Sequence, residues 1–385
     1  MAKDTKKPAV DPNAPIPIGV IEADRQMSLV RFSPCGKFLA GSGRDATVRR
    51  WDVTEPVKPE ADPLATEAEK NKKPAKPVPL TFTELPQLTG HSGWVTRVEF
   101  HPTAGHMYTS DSWGRLICWP YADAEPKPVW NLPTAHDGYI RQIALSPDGK
   151  TLASCGHDQV VRLWSTADGK PLGELAGHGE ELYAVAFHPD GKSLVSGDLK
   201  GVVKQWNLAS LKAEREFDAR VFYNYTYIQD VGGVRVLRFS ADGKTLFCTG
   251  SKPDSGGFLL GTPTMLVIDW SSGKTAKTFS IGTNKDVFIH DIAFHPEGYV
   301  LGVTSGQPGE GQVFFLKPND DSPFFVKKMA NCHSVAMHPN GVRIAIVANF
   351  GLSGQGPSMA REGKYFGNRS PIHLWDLPAK EAAAG

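Results

Sequence analysis

Apolar and polar positions along this chain alternate over short stretches of four to six residues, and no long stretch repeats an apolar residue at helical spacing. Runs such as Thr151-Leu-Ala-Ser-Cys155 and Val160-Val-Arg-Leu-Trp164 are rich in β-branched residues and bounded by turn formers, the pattern of half-buried strands. One phrase recurs between them: an apolar residue, Ser or His, usually Pro, then a turn closed by Gly. It reads Phe32-Ser-Pro-Cys-Gly, Phe100-His-Pro-Thr-Ala-Gly, Leu145-Ser-Pro-Asp-Gly and Phe187-His-Pro-Asp-Gly in the first half. Phe239-Ser-Ala-Asp-Gly, Phe294-His-Pro-Glu-Gly and Met337-His-Pro-Asn-Gly follow, making seven copies. Pro fixes φ and Gly accepts positive φ, so each phrase predicts a tight link between two antiparallel strands. Trp51, Trp119, Trp164 and Trp206 each stand 19 residues after the lead residue of their phrase.

Two strands between phrase and Trp, one before and one after, make each unit a four-stranded meander of about 43 residues, the length of a propeller blade. With the Gly-His pairs (Gly90-His91, Gly177-His178) and Trp-Asp or its variants (Trp51-Asp52, Trp164-Ser165, Trp206-Asn207, Trp375-Asp376), the chain resembles a WD40-repeat protein. The resemblance covers residues 16 to 377 and implies an all-β, seven-bladed propeller of four-stranded antiparallel blades. After Trp375-Asp-Leu too little chain remains for an outer strand in blade seven, so Ile16 to Ile21 is expected to supply it and close the ring. Residues 1–15 and 378–385 are expected as flexible extensions of this single domain.

The resemblance also implies a hydrogen-bonded network of a His, a Ser, an Asp and the Trp in each complete blade. Blade three has all four, His136, Ser154, Asp158 and Trp164; at the equivalent Asp spacing blade four has Lys200 and blade two Trp113. A Ser-His-Asp set invites a catalytic reading, but a capping Trp makes it scaffold reinforcement.

Departures from the repeat place the candidate chemistry. Residues 53–80 form an insert before the outer strand of blade one, with six prolines and alternating Glu and Lys, and read as a solvated loop. Further inserts fall at 218–233, 250–263, 304–311 and 349–369. In an up-and-down blade the interblade link and the second-to-third turn leave from one face, so these four share a face over blades four to seven, and 53–80 leaves from the other. The first holds Phe222, Tyr223, Tyr225 and Tyr227; the last holds Phe350, Arg361, Tyr365, Phe366 and Arg369, residue types enriched at interface hot spots. The tyrosines equally suit a hairpin packed on its neighbour. The family uses the residue three after the Gly-His histidine at the channel rim for partner contact; carried over by spacing this implies Trp94, Tyr139 and Glu181, with Gln26, Gly233, Phe288 and Asn331 in the other blades.

Charge is balanced, Lys+Arg 42 against Asp+Glu 41, which gives no electrostatic case for nucleic acid or an anionic membrane. Cys35, Cys118, Cys155, Cys248 and Cys332 are scattered without a C-x-x-C pair, favouring a reducing compartment, and the N-terminus lacks a secretory apolar region; a cytoplasmic protein is expected. Gly41-Ser-Gly-Arg-Asp-Ala46 precedes a strand rather than a helix, and no metal-ligand motif occurs, so no cofactor, metal or catalytic residue is assigned. Trp51-Asp-Val-Thr and Trp375-Asp-Leu-Pro lack the Arg that WD40 receptors of cullin ubiquitin ligases commonly show. The expected role is a non-catalytic, monomeric scaffold binding protein within a complex; the alternative is a lactonase-type hydrolase or small-ligand binder at the channel mouth, with Glu181 as its acid.

Overall fold

The computed structural model describes residues 10–23, 25–57, 81–226, 229–254, 260–349 and 369–379. Over these it forms seven four-stranded antiparallel sheets and one two-stranded hairpin. The innermost strands are Met27–Phe32, Val95–Phe100, Ile140–Leu145, Leu182–Phe187, Val236–Phe239, Phe288–Phe294 and Cys332–Met337, and each packs beside the next around a closed ring. Blades one to four each seat a tryptophan by register: Leu39 faces Trp51, Met107 faces Trp119, Leu152 faces Trp164 and Leu194 faces Trp206. Leu316 opposite Val300 takes that place in blade six, and Ile268 opposite Leu246 takes it in blade five.

The Ser/His alternation in the repeated phrase has a structural cause. In the serine blades the hydroxyl closes its own turn: Ser146 Oγ donates to Asp148 Oδ1 at 2.7 Å and accepts from Thr151 N at 2.9 Å. In the histidine blades the ring reaches the next blade. Nδ1 of His101 accepts from Thr103 N at 3.1 Å, which leaves the proton on Nε2, 3.0 Å from the Gly149 carbonyl of blade three. His188 to Gly243, His295 to Gly341 and His338 to Gly36 repeat this latch at 3.0, 2.8 and 2.9 Å. The last one crosses the ring closure.

Closure itself is made by Ile16–Ala23, which pairs antiparallel with Ser370–Asp376 and completes blade seven. Ile21 and Ala23 are buried with Trp51, Phe82, Ile372 and Leu374. The described ends of the expected flexible extensions prove to be held. Val10 bridges Ala379, Asp11 N donates to the Pro378 carbonyl at 2.7 Å, and Val10 is buried against Trp375 and Leu377. Residues 53–57 likewise continue the strand Thr47–Val57, whose last residue pairs with Thr81. The rest of the 53–80 insert lies outside the described residues.

Candidate functional site

Three blades, not one, have the complete polar network. In blade three His136 Nδ1 lies 2.8 Å from Asp158 Oδ1, His136 Nε2 lies 2.6 Å from Ser154 Oγ, and Trp164 Nε1 donates to Ser154 Oγ at 2.7 Å. A carboxylate only accepts, so Nδ1 holds the proton, Ser154 donates to Nε2, and the chain from Trp to Asp is satisfied throughout. Burial holds the His136 imidazole below its ordinary pKa, as a neutral ring requires. In blade four the acid is Asp198, 2.8 Å from His178 Nδ1, with Ser196 and Trp206 completing the set. In blade two it is Asp111, 3.0 Å from His91 Nδ1, with Thr109 Oγ1 accepting from Trp119 at 2.9 Å. The expected vacancies at Lys200 and Trp113 are therefore corrected. Asp111 and Asp198 end their strands two residues after Thr109 and Ser196, whereas Asp158 sits in the turn, four after Ser154. Both routes bring a carboxylate to the same imidazole. Asp111 also accepts from the backbone of Ser92, Trp113 and Arg115; burial pushes its carboxyl up, but the hydrogen bonds from His91, Arg115 and Trp113 outweigh burial and hold it at about 2. The Ser154 hydroxyl is fully buried and bonded on both sides, so it has no access to a substrate.

Freed from that network, Trp113 projects outward, 70% exposed. Trp94 stands nearby, 51% exposed, with Arg44 5.3 Å from its ring centre. Together with Asp45, Ser92, Ser112 and Tyr139 they line a cleft of about 510 Å³ built from the second-to-third turns of blades one and two and the interblade links into blades two and three. A Cβ at Gly93 would meet Ser112 Oγ at 2.3 Å and the Trp113 ring at 2.4 Å, so a side chain there would displace both.

The channel mouth continues from this cleft as a ladder of alternating aromatic rings and guanidinium groups. Arg141 lies 4.3 Å from Tyr139 and 4.8 Å from Tyr183; Arg235 lies 4.4 Å from both Tyr183 and Phe288. Each such stack contributes about 0.5–2 kcal/mol, more where water is excluded. Arg141, Tyr183, Arg235, His290 and His333 occupy one equivalent position, four residues before the phrase's lead residue, which faces the channel as half-buried. Deeper in, Arg31 is held bidentately by Asp291 at 2.8 and 3.2 Å, and Ser334 Oγ donates to the same carboxylate at 2.7 Å. That pair ties blades one, six and seven. Burial brings His333 down to about 4 and His290 well below its ordinary value, leaving both rings neutral.

Of the residues expected to meet a partner, Trp94, Tyr139 and Phe288 lie at this mouth. The 218–233 insert forms a single 3-10 turn, Arg220–Phe222, followed by a hairpin pairing Tyr223–Thr226 with Gln229–Gly232. The turn rotates Phe222 inward, where it is fully buried over Gly250, so it belongs to the core and is corrected from the docking set. Tyr223 is half-buried and donates to Asp230 across the hairpin at 2.6 Å, whereas Tyr225 is 60% exposed. Arg369 is exposed beside the last strand. Tyr227, Phe350, Arg361, Tyr365 and Phe366 lie outside the described residues. Trp113 and the channel arginines were missed; of these only Arg141 and Arg235 share an equivalent position, four residues before the lead residue in blades three and five, and Trp113 and Arg97 repeat in no other blade.

Glu181, the acid of the alternative hydrolase reading, accepts from Arg141 at 3.2 Å and from Tyr183 at 2.7 Å, and these partners hold it ionised below its usual range. Among the described residues no three His, Cys, Asp or Glu side chains gather as a metal site. No helix among them is long and apolar enough to cross a membrane.

A family model, "WD domain, G-beta repeat", matches residues 23–52, 82–119, 126–165 and 169–207. Each match ends at or one residue past a structural tryptophan, and the last three begin at or near the preceding blade's outer strand, so sequence repeats straddle blades. The chain is 36% identical over 95 residues to small ribosomal subunit protein RACK1y of Oryza sativa subsp. japonica, covering 22% of this chain and 25% of that protein. It is 28% identical over 145 residues to a chromatin assembly factor 1 subunit from Mus musculus, covering 37% and 23%. The chain spans about a quarter of the length of these curated relatives.

Proposed function

This chain belongs to the WD40-repeat β-propellers, and from that premise we propose that it is a non-catalytic scaffold whose protein partner docks on the insert-bearing face. The observation that carries the reading is the pair of exposed indoles, Trp94 and Trp113, beside the channel-mouth cleft. Isolated exposed apolar residues are ordinary, but two tryptophans flanking a cleft on a rigid ring are the residue type and setting of a binding hot spot. Tyr225 and Arg369 extend the same face toward blades four to seven, and the ring limits the ordering cost of engagement. Both relatives are, by name, parts of larger assemblies, which supports a monomeric propeller working inside a complex. The five unpaired cysteines, four of them buried, support a cytoplasmic setting. Trp94→Ala with Trp113→Ala is expected to weaken the native partner by about 2 kcal/mol or more while leaving the melting temperature unchanged. Tyr225→Ala with Arg369→Ala is expected to act in the same direction. Unaltered partner recovery by both double variants, in a quantitative pull-down of the full chain from its native cell, would overturn the reading.

A further inference from the structure

The arginines of the channel mouth differ in how they are paired. Arg31 is neutralised by Asp291, and Arg141 by Glu181. Arg97 donates to Gln142 and to the Thr96 carbonyl, both neutral acceptors. Arg235 likewise meets, among the described residues, only a neutral acceptor, the Tyr183 hydroxyl. Its planar group is sandwiched between Tyr183 and Phe288, and its Nε is buried without a hydrogen-bond partner. Among the described residues no carboxylate forms an ion pair with it, and the nearest acidic influence is Glu181, already engaged by Arg141. A guanidinium stays charged in a protein, and a desolvated one with unmet donors attracts an oxyanion of matching fork geometry. The stacking rings fix its plane beforehand, which reduces the ordering cost of such a contact.

We propose that Arg235 is an acceptor site for a carboxylate side chain, through which an acidic segment of the docked partner enters the channel mouth. The assignment rests on the scaffold reading above and names the partner chemistry of that face. A carboxylate is favoured over a phosphate group by charge. The Arg235 guanidinium balances one negative charge, and the neighbouring Glu181 opposes a second. The rings of Tyr183 and Phe288 give the methylene groups of a glutamate side chain an apolar surface to lie on.

The test uses the full chain and a fluorescein-labelled octaglutamate peptide, followed by anisotropy at low and moderate salt. Octaglutamate is expected to bind, more weakly as salt rises. Arg235→Gln is expected to lower its affinity at least tenfold. Lys212→Gln, an equal charge change on an exposed outer strand, is expected to leave it unchanged. Glu181→Gln removes the competing charge and is expected to tighten octaglutamate several-fold, a gain that a misfolded variant cannot produce. Equal binding by the parent, Arg235→Gln and Glu181→Gln proteins would overturn the proposal, as would no binding by the parent. Preference for a phosphoserine peptide or for inorganic phosphate over octaglutamate would also overturn it. Loss of partner recovery in the Trp94/Trp113 variant alongside no octaglutamate binding would retain the scaffold reading and sink only the carboxylate site.

Discussion

Replacing Asp111 with Ala tests the correction that its carboxylate, and not the residue at position 113, completes the blade-two network. The Asp111 side chain is wholly buried and accepts from His91 Nδ1 at 3.0 Å, Ser92 N at 3.1 Å, Trp113 N at 2.9 Å and Arg115 N at 3.0 Å. Truncation strands one buried imidazole donor, while the three backbone donors sit near the surface and recover part of their hydration. Losing one partner of a buried charged contact costs about 3–5 kcal/mol, and the partial rehydration places this case near the lower end, at about 3 kcal/mol. That is a large share of the roughly 5–15 kcal/mol by which a domain is stable. The pH dependence has a definite sign. Folding depresses the Asp111 pKa from 3.8 to about 2, so its contribution is fully present above 3.8 and is lost as pH falls toward 2. Equilibrium urea denaturation at pH 7 measures the loss, and a double-mutant cycle with His91→Ala isolates their coupling, expected at about 1–3 kcal/mol. Trp113→Ala serves as the contrast, expected within about 0.5 kcal/mol of the parent because its ring is solvent-exposed. A cost for Asp111→Ala below that of Trp113→Ala would refute the reasoning.

Other perturbations address the ring. Deleting residues 1–13 removes Val10 from its contacts with Trp375 and Leu377 and is expected to lower the melting temperature; deleting 1–23 is expected to lower it much further, and equal melting of the three proteins would contradict the clasp. His338→Ala breaks the blade-seven-to-one latch onto the Gly36 carbonyl and is expected to cost about 1 kcal/mol in urea denaturation, with no cost contradicting an energetic role for the latch. Gly250→Ala places a Cβ 2.4 Å from the Phe222 ring and is expected to destabilise by about 1–3 kcal/mol, with Phe222→Leu restoring part of the loss in the double variant.

The ring was legible because it is encoded redundantly. The phrase sets the first turn and the tryptophan 19 residues on sets the register, so Leu152 facing Trp164 follows from spacing alone. The site was less legible because its contacts do not keep a fixed spacing. Asp111 and Asp158 reach equivalent imidazoles from a strand end and from a turn, and counting from Asp158 pointed to Trp113 and Lys200 instead. Phe222 looked like its tyrosine neighbours, and only the 3-10 turn that it ends shows which way its ring points. The channel arginines Arg31, Arg97 and Arg141 lie on the inner strands of blades one, two and three, and Arg235 immediately precedes that of blade five, so their convergence exists only after the ring closes.

The central claim, a protein partner on the insert-bearing face, is tested most directly by site-specific photo-crosslinking in the native cell. A photoreactive residue is placed at position 113 or 225 on that face, and at position 242 in a turn on the opposite one. The account predicts one shared covalent partner from 113 and 225 and none from 242. An adduct from 242 with none from 113 or 225 would contradict it.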